Sequence, residues 1–220
     1  MLVKRLLWTL LLGLSTQALT AAPAAPTVKP GAPHTSAAPV ILVFGDSISA
    51  AFGIRAEQGW VSLLEQRLKT QGYGYRVVNA SVSGETTAGG LARLPRALKV
   101  HRPAAVVLEL GGNDGLRALP VTQMRSNLMR MVTMSEASGA KVLLVGMRMP
   151  PNYGARYTEQ FHRTYDEVAR YFKIPMVPFL LNEVALNADL MQADGIHPNV
   201  AGQPKLLDNI WPELQKLLKK

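Results

Sequence analysis

Five short apolar runs, separated by segments of helical periodicity, constrain the fold of this chain more than any other feature. The runs are VILVF (40–44), YRVVNASV (75–82), AAVVLEL (104–110), KVLLVG (141–146) and MVPFLL (176–181). Apolar residues recur between them at i, i+3 and i+4, as in Trp60, Leu63, Leu64 and Leu68, in Val121, Met124, Leu128, Met131 and Val132, and in Ile210, Leu214, Leu217 and Leu218. Strands that alternate with helices predict an α/β fold with a five-stranded parallel sheet, helices on both faces and no second domain.

Polar and glycine-rich segments follow these strands, and a parallel sheet gathers such segments at one edge. Right-handed crossovers bring every strand-to-helix loop to the carboxyl edge, where open α/β sheets bind ligands. The segments are GDSIS (45–49), SVSGET (81–86), GGNDG (111–115), MRMPPNYGARY (147–157) and DGIHP (194–198). The sequence therefore predicts an active site at the carboxyl edge.

Topology leaves one histidine for general-base chemistry at that edge. His34 precedes the first strand, His101 belongs to the opposite edge, and His162 falls within a predicted helix. Only His197 lies on the loop edge, and Asp194 can reach its Nδ1 through a glycine-containing turn. The alternative is a purely structural turn, because Asp-Gly and His-Pro are ordinary turn dipeptides.

Ser47 is a candidate nucleophile, because a strand that stops at glycine can turn sharply into a helix and expose the next side chain. It can instead cap that helix. Three other serines compete on the same edge: Ser49, Ser81 and Ser83. The backbone N–H groups of Ser47 and Gly84 and the side-chain amide of Asn113 are suitable donors to an oxyanion, although glycine and asparagine also form turns.

The first 39 residues predict export. MLVKR is basic, LLWTLLLGL is apolar and small residues follow, which is the layout of a secretory signal peptide. A cleavage site that ends at Ala24 gives a signal peptide over 1–24, an Ala/Pro-rich tether over 25–39 and one domain over 40–220. We therefore expect a periplasmic or secreted protein. The chain has no cysteine, which excludes disulfides and thiolate chemistry.

The positive charge of the chain does not by itself indicate a nucleic-acid partner. The formal net charge is +9, and removal of Lys4 and Arg5 with the signal peptide leaves +7. The remaining positive side chains are scattered, and their densest group is Arg93, Arg96, Lys99 and Arg102. This spacing favours a solvated helix face, and an exported protein seldom meets nucleic acid.

Four sequence blocks resemble those of the SGNH, or GDSL, hydrolases over residues 40–217: FGDSISAAFG, NASVSGETTAGGLARLP, ELGGNDGLRALP and DGIHPN. Within that family the chain is similar to the exported bacterial esterases of the thioesterase I, protease I, lysophospholipase and arylesterase group. The resemblance implies a flavodoxin-like three-layer α/β/α sandwich without metal or cofactor. It assigns Ser47 as nucleophile, His197 as general base and Asp194 as its partner, and it places Gly84, Asn113 and the N–H of Ser47 in the oxyanion hole.

The resemblance also implies a substrate class. We expect hydrolysis of carboxylic esters and thioesters, including aryl esters, acyl-thioesters and lysophospholipids, through an acyl-serine intermediate. The loops 115–120 and 147–157 correspond to regions that shape acyl-chain preference, so Leu116, Met149 and Tyr153, together with Met147, are expected to bind substrate; packing is their alternative role. Glu85 departs from the aspartate that is frequent in relatives.

The expected partners are a small-molecule acyl ester or thioester and, transiently, membrane lipid, with a monomeric chain and no nucleic acid. Three alternatives stay open from the sequence. They are a carbohydrate acetyl esterase, a non-catalytic acyl- or glycan-binding relative, and a flavodoxin-like module that binds an anion or a flavin.

Overall fold

The structure is a computed structural model that describes residues 38–220, so the predicted signal peptide, almost all of the tether and His34 lie outside the described residues. Five parallel strands form one sheet in the order β2-β1-β3-β4-β5. The strands are β1 (Val40–Gly45), β2 (Arg76–Asn79), β3 (Ala105–Glu109), β4 (Lys141–Val145) and β5 (Met176–Val177). The predicted parallel sheet is confirmed.

Within residues 38–220 there are six α-helices, and the five longer ones pack on the two faces of this sheet. The six helices are α1 (Trp60–Thr70), α2 (Thr87–His101), α3 (Gly112–Leu116), α4 (Val121–Ala137), α5 (Ala155–Phe172) and α6 (Gln203–Gln215). Helices α1 and α6 pack together, while α4 lies between α2 and α5. The fold is therefore the expected flavodoxin-like three-layer α/β/α sandwich. None of the helices within 38–220 has the length and apolarity needed to cross a membrane.

The core forms where the predicted apolar positions meet the sheet. Strands β1 and β3 are buried along their whole length, and Trp60, Leu64 and Leu68 of α1 are fully buried. Each such side chain contributes about 1.5–3 kcal/mol through the removal of apolar surface from water. Helix α6 ends before Leu217 and Leu218, yet both side chains pack against the core.

Strand β5 is shorter than its apolar run predicts. The run extends over 176–181, but only Met176 and Val177 pair with β4. Pro178 has no backbone N–H and cannot continue the ladder. The chain bends there, and the N–H of Leu180 donates to the carbonyl of Gly146 at 3.0 Å. The edge strand therefore ends after two residues.

The chain after β1 does not enter a helix directly, so that expectation for Ser47 is wrong. A single helical hydrogen bond forms, from the N–H of Ala50 to the carbonyl of Asp46 at 2.9 Å. Ala51 (φ 59°) and Gly53 (φ 76°) then adopt left-handed conformations, which interrupt a right-handed helix. Helix α1 begins only at Trp60. Ser47 consequently lies in a series of turns and does not cap a helix.

The strand order places two of the predicted loops side by side. The chain moves outward from β1 to β2 and then returns past β1 to β3, so the order reverses between β1 and β3. In open α/β sheets a ligand binds outside the carboxyl ends of the strands at such a reversal. The loop with Ser47 follows β1, and α3 with Asn113 follows β3.

Candidate active site

Hydrogen bonds join Ser47, His197 and Asp194 at the carboxyl edge of the sheet. Ser47 Oγ lies 2.9 Å from His197 Nε2, and His197 Nδ1 lies 2.6 Å from Asp194 Oδ2. Ser47 belongs to the loop after β1, whereas the other two residues precede α6. The structure therefore brings together the three side chains that the sequence singled out, although 150 positions separate the serine from the histidine.

The turn at 194–197 holds the aspartate in a charged state. Its Oδ1 accepts the N–H of Ile196 at 2.9 Å and the N–H of His197 at 3.0 Å, while Oδ2 faces the imidazole. Partial burial favours the neutral acid, but these hydrogen bonds from His197 and Ile196 outweigh it and lower the pKa of Asp194 from 3.8 to about 2. An ionised carboxylate at Nδ1 fixes the tautomer that leaves Nε2 able to accept a proton.

Two residues that the sequence analysis missed, Phe52 and Gln192, connect the serine loop to the histidine loop. The ring centroid of Phe52 lies 4.5 Å from that of His197. The side-chain amide of Gln192 donates to the carbonyl of Phe52 at 2.7 Å and to that of Pro198 at 3.1 Å, and its backbone N–H donates to the carbonyl of His197 at 2.8 Å. A phenylalanine and a glutamine in loops are too ordinary to be recognised from sequence.

Two buried acids lie beneath the serine loop. Glu109 at the end of β3 accepts the hydroxyl of Ser49 at 2.7 Å and the N–H of Asp46 at 3.2 Å, both through Oε2. Burial raises the pKa of Asp46 to about 6 and, together with the charge of Asp46, holds the pKa of Glu109 well above its usual 4.5. An acid inside the apolar run AAVVLEL is the sequence signal that could have revealed Glu109.

The loop after β2 is attached to α3, which places Gly84 beside the segment that carries Asn113. The guanidinium of Arg117 donates to the carbonyl of Gly84 at 3.1 Å. The N–H of Thr87 donates to the carboxylate of Asp114 at 2.8 Å. Gly84 itself adopts a left-handed conformation (φ 77°), which glycine reaches without the steric cost of a side chain.

Three hydrogen-bond donors at this edge have no fixed protein acceptor. Among the residues that the structure describes, the backbone N–H groups of Ser47 and Gly84 donate to no other atom. The side-chain amide of Asn113 donates one hydrogen to Asp46 Oδ2 at 3.1 Å, and its second hydrogen stays free. These groups match the donors predicted for an oxyanion.

Among the described residues, the other candidate serines and histidines make no hydrogen bond to this triad: Ser81 Oγ is buried without a partner, and Ser83 is exposed. Ser49 is buried and donates to Glu109, so His197 contacts Ser47 and not this neighbour. His101 ends α2 on the opposite side of the sheet. His162 lies within α5, with Nε2 at 3.3 Å from the guanidinium of Arg148.

The predicted substrate-binding residues lie in α3 itself, which ends at Leu116, and in the loop after β4 that contacts it. The hydroxyl of Tyr153 donates to the carbonyl of Leu116 at 3.0 Å. Met149 packs so closely on Gly115 that a Cβ there would lie 2.7 Å from the Met149 methyl carbon. Met147 is buried in the core. Contact of Leu116, Met149 and Tyr153 with substrate stays a prediction.

Comparison with known proteins identifies the family. Residues 43–204 match the GDSL-like Lipase/Acylhydrolase family. The chain is 57% identical over 183 residues to esterase TesA of Pseudomonas aeruginosa, covering 83% of this chain and 91% of that protein. It is 43% identical over 185 residues to thioesterase 1/protease 1/lysophospholipase L1 of Escherichia coli K12, covering 84% and 88%. A crystal structure of the psychrotrophic esterase EstA from Pseudoalteromonas sp., inhibited by monoethylphosphonate, superposes with a TM-score of 0.77 at 38% identity, covering 80% of this chain and 97% of that one. The chain therefore belongs to the GDSL-like lipase/acylhydrolase family.

Proposed function

We propose that this protein is a serine hydrolase that cleaves carboxylic esters and thioesters through an acyl-serine intermediate. The observation that carries the proposal is the contact of Ser47 Oγ with His197 Nε2 at 2.9 Å, completed by Asp194 on the other ring nitrogen. Relatives named esterase, arylesterase and thioesterase/lysophospholipase support aryl esters, acyl-thioesters and lysophospholipids as the substrates.

Acylation begins at the Ser47 hydroxyl. His197 Nε2 takes its proton as Ser47 Oγ attacks the carbonyl carbon of the substrate. The charged carboxylate of Asp194 stabilises the imidazolium that results. The bond from the carbonyl carbon to the leaving oxygen or sulfur then breaks, and His197 returns the proton to that leaving atom. In the second half, His197 takes a proton from water as the water oxygen attacks the carbonyl carbon of the acyl-serine. The bond from that carbon to Ser47 Oγ then breaks, His197 returns the proton to Oγ, and the carboxylic acid leaves.

The negative charge that develops on the carbonyl oxygen needs donors that are already in place. The N–H groups of Ser47 and Gly84 and the amide of Asn113 fill this role. Loss of one such donor costs about 10²–10³ in kcat. Arg117 and Thr87 join the loop of Gly84 to α3, and Asp46 joins the loop of Ser47 to Asn113; these contacts support an oxyanion hole that is assembled before substrate binds.

The substrate contacts proposed here follow from the loops around α3. Leu116, Met149 and Tyr153 line the acyl-binding region, where a flexible thioether suits chains of different length. Exposed apolar side chains occupy the same edge of the sheet: Phe52, Val82, Leu119 and Ile196. These side chains support transient contact with lipid. We also propose that the protein is a monomer and that nucleic acid is not among its partners.

We further propose that residues 1–24 direct export and are removed, that 25–39 form a tether, and that 40–220 are the enzyme in the periplasm or outside the cell. The start of β1 at Val40 agrees with the last boundary. Amino-terminal sequencing of the protein recovered from periplasm and medium tests this. A protein that retains Met1 and stays in the cytoplasm would contradict export.

A serine-reactive fluorophosphonate probe tests the nucleophile. We expect the probe to label the wild type but not Ser47→Ala. Ser83→Ala is the matched control, because Ser83 is an exposed serine at the same edge, and this variant should still be labelled. Labelling that survives Ser47→Ala would refute the assignment. A series of p-nitrophenyl esters and acyl-thioesters then defines chain preference. Hydrolysis of acetylated xylan alone would point to a carbohydrate acetyl esterase, and a flavin absorption band to a binding module.

A further inference from the structure

The amide of Asn113 is useful to an oxyanion only in one of its two orientations. Rotation of a side-chain amide by 180° exchanges its NH₂ group, which donates, for its oxygen, which accepts. An oxygen directed at the developing charge would repel it. Some neighbouring group must therefore favour the donating orientation before the substrate arrives.

The carboxylate of Asp46 is placed to make this choice. Its Oδ2 accepts the Asn113 amide at 3.1 Å, and its Oδ1 accepts the N–H of Ile48 at 3.1 Å. An ionised carboxylate has acceptors only, so the oxygen of Asn113 cannot replace the NH₂ group against it. We propose that Asp46 is a positioning residue for ester hydrolysis, whose carboxylate holds the Asn113 amide so that its second N–H faces the oxyanion.

The surroundings of Asp46 restrict the position of its carboxylate. The residue is 2% exposed, and its own N–H donates to Glu109 at 3.2 Å. The backbone of α3 approaches so closely that a Cβ on Gly112 would lie 3.1 Å from Asp46 Oδ2. The contact to Asn113 thus joins the loop after β1 to the loop after β3, and these two loops flank the reversal of strand order.

Burial raises the pKa of Asp46 to about 6, so the carboxylate is charged at pH 8, where the decisive assays are made. Asp46→Asn keeps the size of the side chain but supplies only one acceptor oxygen. With that oxygen on the N–H of Ile48, the new NH₂ group faces Asn113 and favours the flipped amide. In this variant the side-chain oxygen of Asn113, instead of an N–H, is therefore expected to face the oxyanion.

The inference rests on the proposed function, and a double-mutant cycle separates the two. We measure kcat and KM for a p-nitrophenyl ester at pH 8 in the wild type, Asp46→Asn, Asn113→Ala and the double variant. Asn113→Ala is expected to lower kcat by about 10²–10³. Asp46→Asn is expected to lower kcat at least as far with KM nearly unchanged, and the double variant to match Asn113→Ala.

The outcomes are distinguishable. If Asn113→Ala stays within a few-fold of the wild type, the proposed oxyanion role of Asn113 is wrong. If Asn113→Ala is impaired but Asp46→Asn is not, or if the two losses multiply, Asp46 does not act through Asn113 and the inference is overturned. A merely structural role for Asp46 predicts multiplication, because damage to the fold adds to the loss of a donor.

Two further variants complete the experiment, one as a control and one as a replacement for Asp46→Asn. Asp166→Asn makes the same change on α5, far along the chain from both loops, and should leave kcat unaltered. Asp46→Ser replaces Asp46→Asn if the latter fails to fold, since a hydroxyl can still accept the N–H of Ile48. Because serine does not force the amide to flip, its kcat should fall less than that of Asp46→Asn, and its cycle with Asn113→Ala is read in the same way.

Discussion

Replacement of Gly45 by alanine tests the packing beneath the nucleophile loop. A Cβ at this position would lie 2.9 Å from the carbonyl oxygen of Glu109 and 3.0 Å from Ser49 Oγ, and closer still to Glu109 Oε2. The Glu109 side chain must therefore move and release the hydrogen bonds that it accepts from Ser49 and Asp46. Overpacking costs about 1–3 kcal/mol. Each lost hydrogen bond adds about 0.5–1.5 kcal/mol.

The free energy of unfolding should consequently fall by about 2–6 kcal/mol in Gly45→Ala. The measurement is urea denaturation followed by far-UV circular dichroism at pH 8, together with kcat for an aryl ester. Gly74→Ala is the matched control: no heavy atom lies within 4 Å of its Cβ, so a gain of about 0.4–1 kcal/mol is expected. A Gly45→Ala protein as stable and as active as the control would refute this account of the loop.

Three other perturbations have expected outcomes. The folded-state pKa of Asp46, about 6, lies above its unfolded value of 3.8, so its contribution to the free energy of unfolding is complete below pH 3.8 and is lost as the pH rises through 6. The loss is roughly 3 kcal/mol. It should be seen in urea denaturation of the wild type at a series of pH values and should be missing in Asp46→Asn. Gln192→Ala removes the hydrogen bonds to Phe52 and Pro198, so it should lower kcat by about 10–10² and the free energy of unfolding by about 1–3 kcal/mol; an unchanged kcat would contradict its role. Asp194→Asn should lower kcat by up to about 10⁴, and because the wild-type pKa is about 2, no step from this carboxylate should occur in a pH–rate profile between pH 4 and 9.

The sequence was sufficient to predict the five-stranded sheet and to identify the histidine that the topology places at the loop edge. Alternation of apolar runs predicted five parallel strands, and the same topology left His197 as the candidate base. The apolar run 176–181 was wrong as the extent of β5, although Pro178, which cannot donate to a ladder, is a sequence signal for its early end. The left-handed conformation of Ala51 could not be predicted, since alanine has no local preference for it.

The hydrogen bonds by which Asp46 and Gln192 hold the site residues in place could not be predicted from sequence patterns. The bond from Asn113 to Asp46 and the amide of Gln192 connect segments that are distant in the chain, and no periodicity marks them. Such contacts depend on side-chain rotamers and on the exact approach of two backbones. They therefore appear only once the strands have fixed where each loop starts.

The shortness of β5 has a consequence for how this enzyme fails. After β5 the chain reaches α6 through turns, two short 3₁₀ helices (Ala188–Leu190 and Val200–Gly202) and one bridge between Met191 and Pro198, so Asp194 and His197 lie outside the strands of the sheet. Ser47, by contrast, is tied to a central strand that is buried throughout. A loop segment whose backbone hydrogen bonds are mostly local opens at a lower free energy than a buried sheet does. Mild heat or denaturant is therefore expected to inactivate the protein by displacing His197, the proton acceptor, while Ser47 stays attached to a folded sheet.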